Sequence, residues 1–165
     1  MKQPLLTVII IFYNGRREAK RTLKTLTPAY QNMEEEAYRV IVVDSNSSSP
    51  LEETFVHSFG SNFSYLYVKS NHPSPVDALN AGLEKADTEY VKVMIDGARM
   101  LSPGILRSTF DMLKIHENPF VYTLGLHLGE YSQNDSLKLG YTEEVEDAML
   151  ATINWEEDGL SLIHI

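Results

Sequence analysis

The chain has 165 residues, 43% of them hydrophobic, enough for one packed core and too many for a disordered tail or a disulfide-stapled mini-protein. It has no Cys, which excludes disulfides, Cys-ligated zinc, iron–sulfur clusters and thiolate nucleophiles and is compatible with a reducing cytoplasm, the compartment expected here. Its net charge of -9 argues against nucleic-acid and anionic-membrane binding, while a small anionic ligand would need a metal ion or a local basic residue to offset the field. The longest apolar run, Leu5 to Tyr13 with only Thr7 interrupting, falls far short of the roughly 18 residues of a membrane span. A single Lys precedes it and no small-residue cleavage site follows, so it does not read as a signal peptide.

Leu5 to Tyr13 instead has the pattern of a strand buried on both faces. A helix is expected next, with Ala19, Leu23 and Leu26 on one stripe. Arg39 to Val43 reads as the second strand. After a polar loop, Leu51, Phe55 and Phe59 fall at helical spacing, with Ser49 as N-cap and Pro50 at the first helical position. Asn62 to Val68 is the third strand, Val76, Leu79, Leu83 and Ala86 mark the next helix, and Tyr90 to Ile95 is the fourth strand. Ser102-Pro103 starts a helix carrying Ile105, Leu106, Phe110 and Leu113, and Phe120 to Leu126 is expected as a fifth strand. A loop through Gly140, a helix carrying Val145, Met149 and Ile153, and a short strand after Gly159 complete the reading. The β-prone end at Ser161 to Ile165 has no polar tail, so the chain is expected to be cut from something longer.

Successive β-then-α units imply a three-layer α/β/α sandwich on a mostly parallel sheet with right-handed crossovers, expected as one domain over residues 1–165. Ligands of such sheets bind beyond the carboxyl ends of the strands. The loops to search are therefore Asn14-Gly15, Asp44 to Pro50, Ser70 to Pro75, Asp96 to Ser102 and His127 to Gly140. The first lacks both the G-x-G-x-x-G fingerprint and a P-loop Gly-Lys-Ser/Thr, which removes NAD-type and P-loop readings. Asp44 can accept hydrogen bonds from a base or ribose, and Asp96 can reach a cation bridging two phosphates. Taken singly, an aspartate at a strand end is more often a turn former than a ligand.

Four segments together resemble the ordered motifs of family 2 glycosyltransferases: Leu6-Thr7-Val8-Ile9-Ile10-Ile11-Phe12-Tyr13-Asn14, Ile41-Val42-Val43-Asp44-Ser45-Asn46-Ser47, Ala78-Leu79-Asn80-Ala81-Gly82 and Val93-Met94-Ile95-Asp96-Gly97-Ala98. Gly140-Tyr141 followed by Glu146-Asp147-Ala148-Met149-Leu150 is similar to that family's Glu-Asp motif. The resemblance spans nearly the whole chain and implies a GT-A fold, a nucleotide-sugar donor (a UDP- or GDP-sugar) and inverting transfer to a carbohydrate or lipid-linked acceptor, with Mg²⁺ or Mn²⁺ as cofactor. It further implies that Tyr13, Asn14, Asp44 and Ser45 line the nucleoside pocket, that Asn80 braces the nucleotide loops, that Asp96 is the first acid of the metal-binding D-x-D, and that Asp147 is the general base beside Glu146.

Three positions depart from the family pattern. Ile11 replaces the usual proline, Ser45 the second acid of an Asp-Asp pair, and the D-x-D reads Asp96-Gly97-Ala98 followed by Arg99. Loss of an acid at Ala98 removes a metal ligand, while Arg99 adds a permanent cation able to grip a leaving diphosphate in bidentate fashion, so the cation requirement is expected to be weak. His127, at the end of the expected fifth strand, is a further candidate for the metal shell. The alternative function is a non-catalytic nucleotide-sugar binding module. A phosphoacceptor signalling domain would want paired acids after the first strand, where Tyr13-Asn14 stands, and a sugar nucleotidyltransferase would want a Gly-rich basic loop that Asn14-Gly15-Arg16-Arg17 only faintly suggests.

Overall fold

The computed structural model describes residues 5–95 and 97–165, apart from the side chain of Ile163. They fall into two compact units, residues 1–101 and 102–165.

The first unit is built on four parallel strands, β1 (Leu6–Phe12), β2 (Tyr38–Ser45), β3 (Phe63–Val68) and β4 (Tyr90–Met94), in the order β3-β2-β1-β4. Every residue of β1 is buried, as its unbroken apolar run requires of a strand covered on both faces. The helices are α1 (Arg16–Thr25), the single turn α2 (Pro28–Gln31), α3 (Glu53–His57) and α4 (Val76–Lys85). The chain steps from β1 to β2 to β3 in one direction and returns past them to β4. Right-handed crossovers then put α1 and α3 on one face of the sheet and α4 on the other. On the α4 face, Ala78 packs with Ile9, Ile11, Ile41 and Val43. On the opposite face Val8, Ile10, Phe12, Val40 and Val42 are all fully buried, and Gly15 at the start of α1 lies against the Phe12 ring. Each such branched side chain contributes about 1.5–3 kcal/mol by leaving water. Together these layers form a mostly parallel α/β arrangement, as the resemblance to a GT-A fold implies.

Strand register brings four loops to one edge. Phe12 pairs with Asp44, Ile10 with Met94, and Asp44 with Tyr67, so the carboxyl ends of β1, β2, β3 and β4 lie side by side. Strand order reverses between β1 and β4, the place where open α/β sheets leave a crevice.

The second unit contains α5 (Ile105–Leu113), α6 (Gln133–Lys138), α7 (Glu143–Ala151) and a 3-10 turn at Gly159–His164. Two expected strands are corrected here. Phe120 to Leu126 has the β-prone composition but joins no ladder among the described residues, and Phe120, Tyr122, Leu124 and Leu126 are exposed. A strand exists only where a neighbour takes its N–H and C=O groups, and propensity supplies no neighbour. After Gly159 the chain winds into a 3-10 turn because the Asp158 carboxylate accepts the Leu160 N–H and the Asp158 carbonyl accepts the Ser161 N–H, closing a helical start.

Helix starts also differ. Thr27 caps α2 with its hydroxyl on the Tyr30 N–H, ahead of Pro28. Ser49 does not cap α3, which begins only at Glu53; its hydroxyl instead accepts from Arg16 at 3.4 Å. Gly104, with φ of 75°, precedes α5, so Ser102-Pro103 forms the approach rather than the first turn.

Candidate functional site

At the sheet edge the β1 and β2 loops are tied together by side chains. Asn14 sits in the left-handed region with φ of 53°, a conformation that Asn tolerates better than most residues. Its backbone N–H donates to Ser47 Oγ at 2.9 Å, and its Oδ1 accepts from the Ser48 N–H at 2.9 Å and from Ser48 Oγ at 3.0 Å. Arg16 reinforces this link from the start of α1, donating to the Pro50 carbonyl at 3.1 Å and to Glu52 at 2.8 Å. Tyr13, just before Asn14, is 69% exposed and presents its ring at this edge.

Asp44 is placed differently from a ligand-facing acid. It is 1% exposed; Oδ1 accepts the Ser47 N–H and Oδ2 the Leu51 N–H, both at 3.0 Å. An ionised carboxylate accepting two backbone donors is a strong local clamp, so Asp44 shapes the 45–51 turn from beneath. Ser45 is buried at the end of β2, and Asn46, with φ of 58°, turns the chain outward. Tyr67 on β3 donates its hydroxyl to Asn46 Oδ1 at 3.3 Å. Its neighbour Tyr65 has a hydroxyl pushed up to about 12, first by burial and then by the nearby negative charge of Asp44, and so stays protonated. The β3 loop is fastened as well, since Ser70 Oγ donates to Asp77 on α4 at 2.6 Å and accepts the His72 N–H at 3.0 Å.

Asn80 is exposed on α4, whose buried side is Ala78 and Gly82, and the loops are tied to one another by Asn14, Asp44 and Ser70. Asp96 lies outside the described residues. The next residue, Gly97, is buried against Phe12: a Cβ there would stand 2.2 Å from Phe12 Cδ1, so only glycine lets the chain leave β4 at this point. Leu101 then donates its N–H to Thr25 Oγ at 3.0 Å, anchoring the loop on α1. Ala98 and Arg99 between these anchors are exposed.

In the second unit, Glu146 and Asp147 lie four and five residues into α7, which Thr142 caps through the Val145 N–H. The inward stripe of α7 is Glu146, Met149 and Leu150, with Ile153 half-buried just past the helix end, while Val145 is 41% exposed and Asp147 is exposed. The helix is thus rotated from the expected packing on Val145 and Met149. Tyr141 donates its hydroxyl to Glu146 Oε2 at 3.0 Å, and the His127 ring lies 4.7 Å from the Tyr141 ring. Among the described residues, no three His, Asp or Glu side chains converge as a cation cage.

Ser47 and Ser48 were legible only as turn formers in the sequence, yet they carry the link to Asn14. The signal available was Asn14 itself, a residue suited to positive φ directly after a buried strand.

The family profile described as glycosyl transferase family 2 matches residues 7–96, more than half of the 165-residue chain. The chain belongs to glycosyl transferase family 2. Among curated proteins, none is matched significantly. Solved structures share the fold: residues 1–349 of S. aureus TarS match with a TM-score of 0.60 at 22% identity, covering 68% of this chain and 33% of that one. The same TarS segment in complex with UDP matches with a TM-score of 0.60, and with UDP-GlcNAc with 0.58, both at 22% identity over 68% of this chain and 32% of TarS. This family 2 chain therefore spans about a third of the length of those TarS structures. No helix among its described residues is long and apolar enough to cross a membrane.

Proposed function

We propose that this family 2 chain moves a sugar from a nucleoside-diphosphate sugar, a UDP- or GDP-sugar, to a hydroxyl of a carbohydrate or lipid-linked acceptor with inversion, in the cytoplasm. The observation carrying the reading is the lacing of the β1 and β2 loops by Asn14, which builds a rigid, polar edge beside the exposed Tyr13 ring on a family 2 sheet. A nucleoside needs a flat apolar surface and nearby hydrogen-bonding groups, and this edge offers both. Tyr13 and Asn14 would meet the nucleoside directly. Asp44 and Ser45 would act from below by holding the loop that touches it.

In the reaction, an acceptor oxygen gives its proton to Asp147 and its electron pair forms the new bond to the anomeric carbon. Attack comes from the face opposite the diphosphate, and the anomeric C–O bond breaks with its pair leaving on the phosphate oxygen. Arg99 is assigned to the charge developing on that oxygen, where a fixed guanidinium needs no reorganisation. Mg²⁺ or Mn²⁺, when bound through Asp96 and the donor's own diphosphate, would add Lewis-acid stabilisation there. With Ala98 in place of a second acid, the cation requirement is proposed to be weak; His127 is reassigned from the metal shell to packing on Tyr141.

The test is thermal shift with UDP, GDP, dTDP and CMP, with and without Mn²⁺, followed by donor hydrolysis and transfer assays. A ligand that binds only the folded state raises its melting temperature by mass action. Asp147→Asn should lower kcat roughly 10²–10⁴-fold with donor binding unchanged. Binding without turnover on any acceptor would fit the non-catalytic module instead, and no shift with any nucleotide would sink both.

A further inference from the structure

Between α6 and α7 the chain has no slack. Gly140, with φ of 89°, donates its N–H to the Leu137 carbonyl at 3.3 Å, and Tyr141 donates its N–H to the Ser136 carbonyl at 2.9 Å. This paired closure is the Schellman ending of a helix, and glycine is the residue that adopts the required left-handed turn without strain. Thr142 caps α7 immediately afterwards. Tyr141 therefore leaves one helix end and enters the next helix start on fixed backbone, and its ring direction is set by both.

The residue before an N-cap commonly packs on the fourth residue of the helix through an apolar contact that fixes the entry angle. Tyr141 and Glu146 hold those two positions, and here the closure is polar: the phenol hydroxyl donates to Glu146 Oε2 at 3.0 Å. The ring is held in turn by His127, at 4.7 Å between centroids and 51° between planes. His127 Nε2 is shielded from solvent and makes no hydrogen bond, so the imidazole acts by packing. Two residues on, a side-chain carbon at Gly129 would stand 3.7 Å from Met149 Sδ, which shows that this segment runs along α7.

We propose that Tyr141 is a positioning residue for sugar transfer: its hydroxyl fixes Glu146 and thereby the rotation of the first turns of α7 that aim the adjacent Asp147, with His127 clamping the ring. The assignment rests on the glycosyltransferase reading, in which Asp147 takes the acceptor's proton. The first turns of a helix lack their full set of intrahelical bonds and fray most readily, so a base placed there needs an added restraint. An error of about 1 Å in a reacting group can cost on the order of 10²-fold in rate.

The experiment compares wild type, Tyr141→Phe, Glu146→Ala and the double variant by steady-state transfer and by thermal melting. Tyr141→Phe keeps the ring on His127 and deletes only the hydroxyl. It should lower kcat about tenfold, leave donor KM within about twofold and barely move the melting temperature, because the lost interaction serves orientation in the transition state. In the Glu146→Ala background the same change should have no further effect, since the two residues act as one unit. Wild-type kcat in Tyr141→Phe, or effects that multiply in the double variant, would overturn the assignment while leaving the glycosyltransferase reading intact. A wild-type chain that binds donor and turns none over overturns that reading, and the assignment with it.

Discussion

Asn14 Oδ1 accepts two hydrogen bonds from Ser48, one from its N–H at 2.9 Å and one from its hydroxyl at 3.0 Å, across 34 residues of sequence. One side-chain oxygen thus joins the turns that follow two neighbouring strands into one edge, the edge proposed to meet the nucleoside. Asn14→Ala removes the acceptor and places alanine at a positive φ, costing about 1–3 kcal/mol. Asn14→Asp keeps the acceptor. Nucleotide affinity by calorimetry should fall about tenfold or more in the alanine variant and be largely kept in Asn14→Asp. Equal losses in the two would show that the oxygen is not what matters.

Asp44→Asn tests whether the buried carboxylate works as a clamp. An amide presents one oxygen and one NH₂ where the loop aims two N–H donors, from Ser47 and Leu51, so one buried donor is left facing another. The expected cost is about 2–3 kcal/mol, read as a lowered melting temperature, with nucleotide binding weakened in parallel. Unchanged stability with lost binding would place Asp44 in direct contact with the ligand instead.

Gly97→Ala asks the same of the β4 exit. The new methyl would overlap the fully buried Phe12 ring, which has no room to retreat. Overpacking of this kind costs about 1–3 kcal/mol and should displace the loop bearing Ala98 and Arg99. Donor affinity is expected to drop with stability, and Phe12→Leu should partly rescue the variant. Absence of any rescue would mean that the loop is held elsewhere.

Alkaline stability is expected to depend on Tyr38. Its hydroxyl is fully buried and donates to the Leu26 carbonyl at 2.6 Å, and burial raises its pKa well above the ordinary 10.0. A group whose folded pKa is raised contributes its full stabilisation below the unfolded value, near pH 10, and loses it as pH climbs toward the folded one. Melting temperature should therefore decline above about pH 10. Tyr38→Phe should flatten that decline while costing about 1–2 kcal/mol at neutral pH through the orphaned Leu26 carbonyl. A variant with the same alkaline slope as wild type would assign the decline to other groups.

The order of strands and helices in the first unit could be read from the chain because continuous apolar runs such as Leu6–Phe12 and the stripe Ala19, Leu23, Leu26 are local patterns that water enforces locally. Parallel pairing then followed from the alternation, and with it the shared edge where Tyr13, Asp44 and Tyr67 end up. What the pattern could not show was which groups meet there. Asp44 spends both oxygens on its own loop, and Asn14 finds its partners more than thirty residues away; hydrogen-bond assignment depends on distances that only packing sets.

The same reason explains the misread elements of the second unit. Phe120 to Leu126 and Gly159 to Ile163 have strand-like composition, but strand formation is a property of pairs of segments, and these find no ladder among the described residues. Glu146-Asp147 could be located on a late helix from sequence spacing alone. Which of the two faces inward was decided by the rotation of α7, whose entry is closed by the Schellman turn at Gly140 and by the Tyr141 hydroxyl on Glu146, side-chain and backbone contacts that helical periodicity does not encode.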